Sequence, residues 1–263
     1  MTRPAGARFK VAILGNSVPL LVIPPRDHRS DGTYGEVLGR LLRDSGIDAD
    51  VANRSRMFEL IHEGARRYIN DIAPIAPDVV IFHYGVLELQ PNVLPTAITR
   101  DLTRNIPGGR GLRRIWYSKV APRVWPHARA WQRWASAKAG NRTWRLSPQR
   151  FVNELEALVR AVRHGRSLVL IVDVPAPNER LDYFMPGLTE RHAIFQAAVR
   201  DFVVGVNDPD VRLVEASAVV EGLDGLGTAD GLHLTVPAHA LLADRLAKEI
   251  IEWLGTSDDD EQP

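Results

Sequence analysis

The sequence predicts an α/β fold: a three-layer sandwich with a five-stranded parallel sheet, wound on both faces by helices. Three observations predict it. Five short strand-like runs are spread along the chain, three of them nearly unbroken and apolar, as buried parallel strands read. Segments of helical spacing separate them, as crossover connections require. Apolar residues make up 45% of the 263, enough to bury one sizeable core.

The first run, Phe9 to Leu14, ends at Gly15-Asn16-Ser17. A glycine there permits a sharp turn and leaves Ser17 at the carboxyl end of a strand. A serine in that place also serves as a helix cap, the commoner use of the pattern. Val18–Pro25 is apolar but broken by prolines, and Arg26–Thr33 is a polar loop. Tyr34–Ser45 has helical spacing through Val37, Leu38, Leu41 and Leu42, and stops at Gly46. Ile47–Ala52 alternates as a second strand and ends at Asn53-Arg54-Ser55. Phe58–Ile72 is helical, with Glu59 and His62 read as a surface pair within it. Val79–Phe82 is a third strand, leading into His83-Tyr84-Gly85.

Residues 91–146 break the pattern and read as a helical insertion rather than a second domain. Between Arg100 and Arg150 stand 13 Lys/Arg and one acid, Asp101. The rest of the chain carries 20 basic and 31 acidic residues, so the net charge of +1 conceals a basic patch on an acidic body. Five of the six tryptophans, Trp116, Trp125, Trp131, Trp134 and Trp144, lie in this stretch. Pro126 suits the first turn of a helix on which Trp131 and Trp134 share a face. These tryptophans either pack the insertion onto the body or form an aromatic, cationic lid.

Alternation resumes at Ser147-Pro148, with a helix over Phe151–Val162. Leu168–Val174 is a fourth strand, Pro175–Gly187 a loop, Leu188–Val204 a helix and Val211–Val214 a fifth strand. A glycine-rich stretch, Gly222–Thr235, precedes a last helix over Pro237–Leu254. The single domain spans 1–256, and the acidic tail 257–263 is expected to be disordered. Right-handed crossovers favour the flavodoxin-like strand order 2-1-3-4-5. That order gathers Ser17, the 53–55 turn and the 83–88 loop around one crevice.

The absence of cysteine excludes disulfides, thiolate metal sites and a cysteine nucleophile. No apolar run is long enough to span a membrane or form a signal-peptide core, which leads to the expectation of a cytoplasmic protein. No cofactor and no metal are expected. Asp230 stands three residues ahead of His233 in a glycine-bearing loop. An acid so placed can reach one ring nitrogen and leave the other as a base, which a serine hydroxyl needs. A capping or packing role for His233 fits the spacing equally well. Backbone N–H groups of Ser17 and Ser55 are candidate oxyanion donors, Gly85 permits close approach to a ligand, and Glu88 binds a cation or orients its loop.

Gly15-Asn16-Ser17 resembles the first block of the SGNH, or GDSL, hydrolases, with Asn16 where Asp is usual. Asp230-Gly231-Leu232-His233-Leu234-Thr235 before a helix is similar to that family's last block. The resemblance covers nearly the whole chain outside the insertion, and implies the flavodoxin-like fold. It also implies Ser17 as nucleophile, His233 as base and Asp230 as its orienter. Two blocks depart from the family pattern. Ser55 stands in place of a glycine, and Gly85-Val86-Leu87-Glu88 puts Leu87 where an asparagine donor is usual. Asn92 and Asn178 are the candidate replacements. The expected activity is hydrolysis of an ester or other acyl group on a small polar or sugar-like molecule, through an acyl-enzyme on Ser17. The insertion's arginines favour an anionic substrate. The alternatives are an acyltransferase with the same triad, and a non-catalytic protein whose basic insertion holds an anionic partner. No nucleic acid is expected, and the sequence assigns no oligomeric state.

Overall fold

The computed structural model describes residues 8–20, 32–91, 121–139, 144–164, 167–223, 227–228 and 230–259. Five strands form one parallel sheet: β1 (Phe9–Gly15), β2 (Ala49–Asn53), β3 (Val79–His83), β4 (Leu168–Val172) and β5 (Val211–Val214). Their spatial order is β2-β1-β3-β4-β5. β1 lies inside the sheet, with Ile13 in register with Asn53 of β2 and Ile81 of β3. Every residue of β3 and β4 is buried, which explains their unbroken apolar composition.

The helices are α1 (Tyr34–Asp44), α2 (Ile61–Asp71), α3 (Ala121–Ala139), α4 (Pro148–Arg163), α5 (Glu179–Phe184), α6 (Leu188–Val206), α7 (Ala216–Glu221) and α8 (Val236–Asp259). α1 packs on α8, while α2 packs on α4 and α4 on α6. Leu38 and Leu42 of α1 and Leu242 and Leu246 of α8 are fully buried, as are Val80, Ile81 and Leu170 of the sheet between the layers. Ser147 caps α4 by accepting from the Arg150 N–H, with Pro148 in the first turn.

Several boundaries differ from the sequence expectation. α2 begins at Ile61 rather than Phe58, because Phe58 adopts a left-handed φ of 59°. The Leu60 N–H is then met by the Glu63 carboxylate at 3.1 Å. Glu59 therefore precedes the helix and is buried, not a surface partner of His62. It forms an ion pair with Arg67 at 2.8 Å and accepts from the Tyr84 hydroxyl at 2.7 Å. Two six-residue helices are added: α5 in the stretch expected as loop, and α7 between the fifth strand and Gly222, where no element was expected. α3 starts at Ala121, which places Pro126 inside the helix at the cost of one backbone hydrogen bond. α8 runs to Asp259, three residues into the tail expected to be disordered, since each added residue gains a backbone bond on a helix already anchored.

Candidate active site

β1 delivers the chain to Asn16 and Ser17 at the carboxyl edge of the sheet. Asn16 is fully buried, and its Oδ1 accepts from the Val18 N–H at 3.1 Å. This turn curls the backbone around Ser17, whose carbonyl accepts from the Leu20 N–H at 3.0 Å. Gly15 does not have the positive φ of a sharp glycine turn. Crowding explains it instead: a Cβ there would lie 2.6 Å from the His83 carbonyl oxygen of neighbouring β3.

The loop before α8 brings His233 to the serine. His233 Nε2 lies 2.9 Å from Ser17 Oγ, and its Nδ1 lies 2.6 Å from Asp230 Oδ2. The other Asp230 oxygen accepts from the N–H groups of Leu232 at 3.0 Å and His233 at 2.8 Å. Burial alone would raise the Asp230 carboxyl. The hydrogen bonds from His233 and Leu232, with the imidazole charge, outweigh it and hold the group below its ordinary value. An ionised carboxylate fixes the proton on Nδ1, so that Nε2 accepts the serine proton.

The proposed oxyanion and substrate residues fare differently. The Ser55 N–H donates to Asn53 Oδ1 at 3.1 Å, and Asn53 Nδ2 donates to the Pro19 carbonyl at 2.9 Å. Asn53 thus ties the end of β2 to the segment after Ser17 and takes up the Ser55 N–H expected for substrate. The Gly85 N–H donates to Glu88 Oε2 at 2.9 Å, and Glu88 Oε1 accepts from the Ile61 N–H at 2.8 Å. Glu88 is fully buried, so it orients its loop and does not face substrate or a cation. Burial pushes its carboxyl up to about 7, against the pull of those backbone donors. Gly85, at φ 120°, makes room for protein rather than ligand: a Cβ would come within 2.6 Å of Val174 and 2.8 Å of Phe195. Leu87 is buried and offers no donor.

Asn178 caps α5, its Oδ1 accepting from the Leu181 N–H at 3.0 Å. Its side chain is packed against Gly231, next to Asp230, so it supports the histidine loop. Asn92 lies outside the described residues. Among the described residues no group of three His, Cys, Asp or Glu is placed to hold a metal ion.

The sequence reading missed a buried cluster under this edge of the sheet. His83 Nδ1 lies 3.3 Å from the Tyr34 hydroxyl, the Tyr34 N–H donates to His239 Nδ1 at 3.1 Å, and all three residues are fully buried. His83 directly follows the apolar run of β3, and nothing else in its local sequence signals burial.

The insertion helix α3 stands near this edge through α5. Arg133 donates to the Tyr183 hydroxyl at 2.6 Å, with its guanidinium 3.8 Å from the ring centroid. Trp131 and Trp134 are 46% and 59% exposed, so neither packs the insertion onto the body. Trp144 is half-buried against the core.

No protein-family model matches the chain, and no curated protein sequence matches it. Solved structures do. The lipase/acylhydrolase from Enterococcus faecalis is 15% identical with a TM-score of 0.60, over 92% of this chain and 95% of that one. The native M. smegmatis aryl esterase is 15% identical with a TM-score of 0.59, over 93% and 99%. A mutant of Axe2, an acetyl-xylooligosaccharide esterase from Geobacillus, is 16% identical with a TM-score of 0.58, over 95% and 96%. The chain has the α/β fold of these esterases and acylhydrolases, a five-stranded parallel sheet flanked by helices, along nearly its full length.

Proposed function

We propose that the protein is a serine esterase or acyl hydrolase of the SGNH type. The observation that carries this reading is the continuous relay from Asp230 through His233 to Ser17, with contacts of 2.6 and 2.9 Å. In this mechanism Ser17 Oγ attacks the acyl carbonyl as its proton passes to His233 Nε2. Asp230 holds the imidazole in orientation and steadies its positive charge. The tetrahedral intermediate collapses to an acyl-enzyme as His233 returns the proton to the leaving alcohol. Water, activated by the same imidazole, then releases the acid. The substrate class is an acylated small polar or sugar-like molecule, and the basic insertion favours one that carries negative charge.

A fluorophosphonate should add its mass to Ser17, located by peptide mapping. Ser17→Ala and His233→Ala should each abolish turnover in an acyl-ester screen while leaving the melting temperature unchanged. Asp230→Asn should retain a small fraction, because the base survives with degraded orientation. Wild-type turnover by the Ser17→Ala chain would refute the assignment.

A further inference from the structure

We propose that the outward face of α3 docks onto an anionic lipid bilayer. α3 carries no acidic residue along Ala121–Ala139, and it includes Arg123, Arg129, Arg133 and Lys138. At 100° per residue, Val124, His127, Trp131, Trp134 and Lys138 fall within an arc of about 80°. All five are exposed; Val124, Trp131 and Trp134 show 47%, 46% and 59% of their surface. Arg133, which seats the helix on Tyr183, lies about 140° around from the centre of that arc. The helix therefore holds the body with one side and turns an apolar stripe, with cations on and beside it, to solvent.

Two tryptophans in such a stripe fit the boundary between headgroups and acyl chains, where amphipathic rings concentrate. Lys138 on the stripe and Arg123 at its edge complement anionic headgroups. A second copy apposed through the same face would set cations against cations. A soluble polyanion would satisfy the charge and leave both indole rings in water. Tyr183 and Phe184 of α5, 55% and 37% exposed, extend the aromatic surface beside α3. No helix among the described residues is long and apolar enough to cross a membrane, so this contact is peripheral.

The test is flotation of the full chain with vesicles of phosphatidylcholine, with and without phosphatidylglycerol. It reads binding alone and can be run on the Ser17→Ala chain, so its outcome is separate from that of the hydrolase reading. The chain should float with the anionic vesicles only, and less as salt rises. Trp131→Ala with Trp134→Ala should weaken binding about tenfold or more, with an unchanged circular dichroism spectrum. Lys138→Glu should weaken it as well. Ile69→Ala, at a 71% exposed site on α2, should leave it intact. Brominated phosphatidylglycerol should quench wild-type tryptophan emission more than that of the double variant. Equal flotation of wild type and double variant would overturn the proposal. So would binding to heparin or single-stranded DNA without vesicle binding, or a Trp131/Trp134-dependent dimer that does not float.

Discussion

By the resemblance to the SGNH pattern, Leu87 stands where an asparagine donor is usual, and among the described residues Gly85 and Ser55 do not replace it. The N–H of Gly85 is held by Glu88 and that of Ser55 by Asn53. The Ser17 N–H is then the first candidate to meet the developing oxyanion. One well-aimed donor is worth roughly 3–4 kcal/mol of barrier, or about 100- to 1000-fold in rate. Wild-type turnover of activated aryl esters should therefore be slow, and Leu87→Asn should raise kcat if its amide reaches the intermediate. Leu87 is buried, so the same change should lower the melting temperature, and both are to be measured together. Fast wild-type turnover with no gain in the variant would mean that backbone donors suffice. That Ser17, Asp230 and His233 come together was legible in the sequence because their signals are local: a strand end, and an acid three residues before a histidine. The duties of Ser55 and Gly85 were not, because each depends on a tertiary partner or on packing that spacing does not reveal. For Glu88, loop orientation was one of two readings, but its tie to Ile61 was not legible.

At the level of elements, Glu88 is a clasp between the loop after β3 and the first turn of α2. Its two oxygens satisfy one backbone donor from each. Glu88→Ala would strand both N–H groups in a buried setting, at about 1–3 kcal/mol each. The urea midpoint should fall accordingly, and Glu88→Gln, which keeps one acceptor, should cost less. A midpoint unchanged in Glu88→Ala would show that the clasp is dispensable. The long helices were readable because their burial is periodic, and the inner strands because theirs is nearly continuous. α5 and α7 were not, since each is only six residues long and is started by a polar contact. Asn178 caps α5 from within the loop, whereas α7 is seated by Asp173, which accepts from the Ser217 N–H and hydroxyl at 2.9 and 2.6 Å across 44 residues. α3 was expected as a helix from Pro126; what spacing could not decide was whether its tryptophans pack on the body or face outward.

For the whole molecule, buried groups on either side of the sheet's carboxyl edge predict the pH dependence of stability. Burial, with the nearby His239, pushes His83 down to about 3 from an ordinary 6.5. An unfolded chain takes up that proton between pH 6.5 and 3 while the folded one refuses it, so stability falls as pH drops through this window. Glu88 acts in the opposite sense. Its carboxyl is raised from 4.5 to about 7, so its contribution is complete below pH 4.5 and is lost as pH rises through 7. Each effect is worth about 1.4 kcal/mol per pH unit, and the two offset one another between pH 4.5 and 6.5. Unfolding free energy should show a plateau there, a steep fall on the acid side and a shallow fall toward pH 7. Asp230, held below its ordinary value, adds to the acid limb. Urea titrations from acid to mildly alkaline pH check this directly. Glu88→Gln should remove the fall near neutrality and tilt the plateau upward with pH, because the effect of His83 is then no longer offset by Glu88. A wild-type curve that climbs through neutrality, or a Glu88→Gln curve parallel to it, would show that Glu88 is not the group responsible.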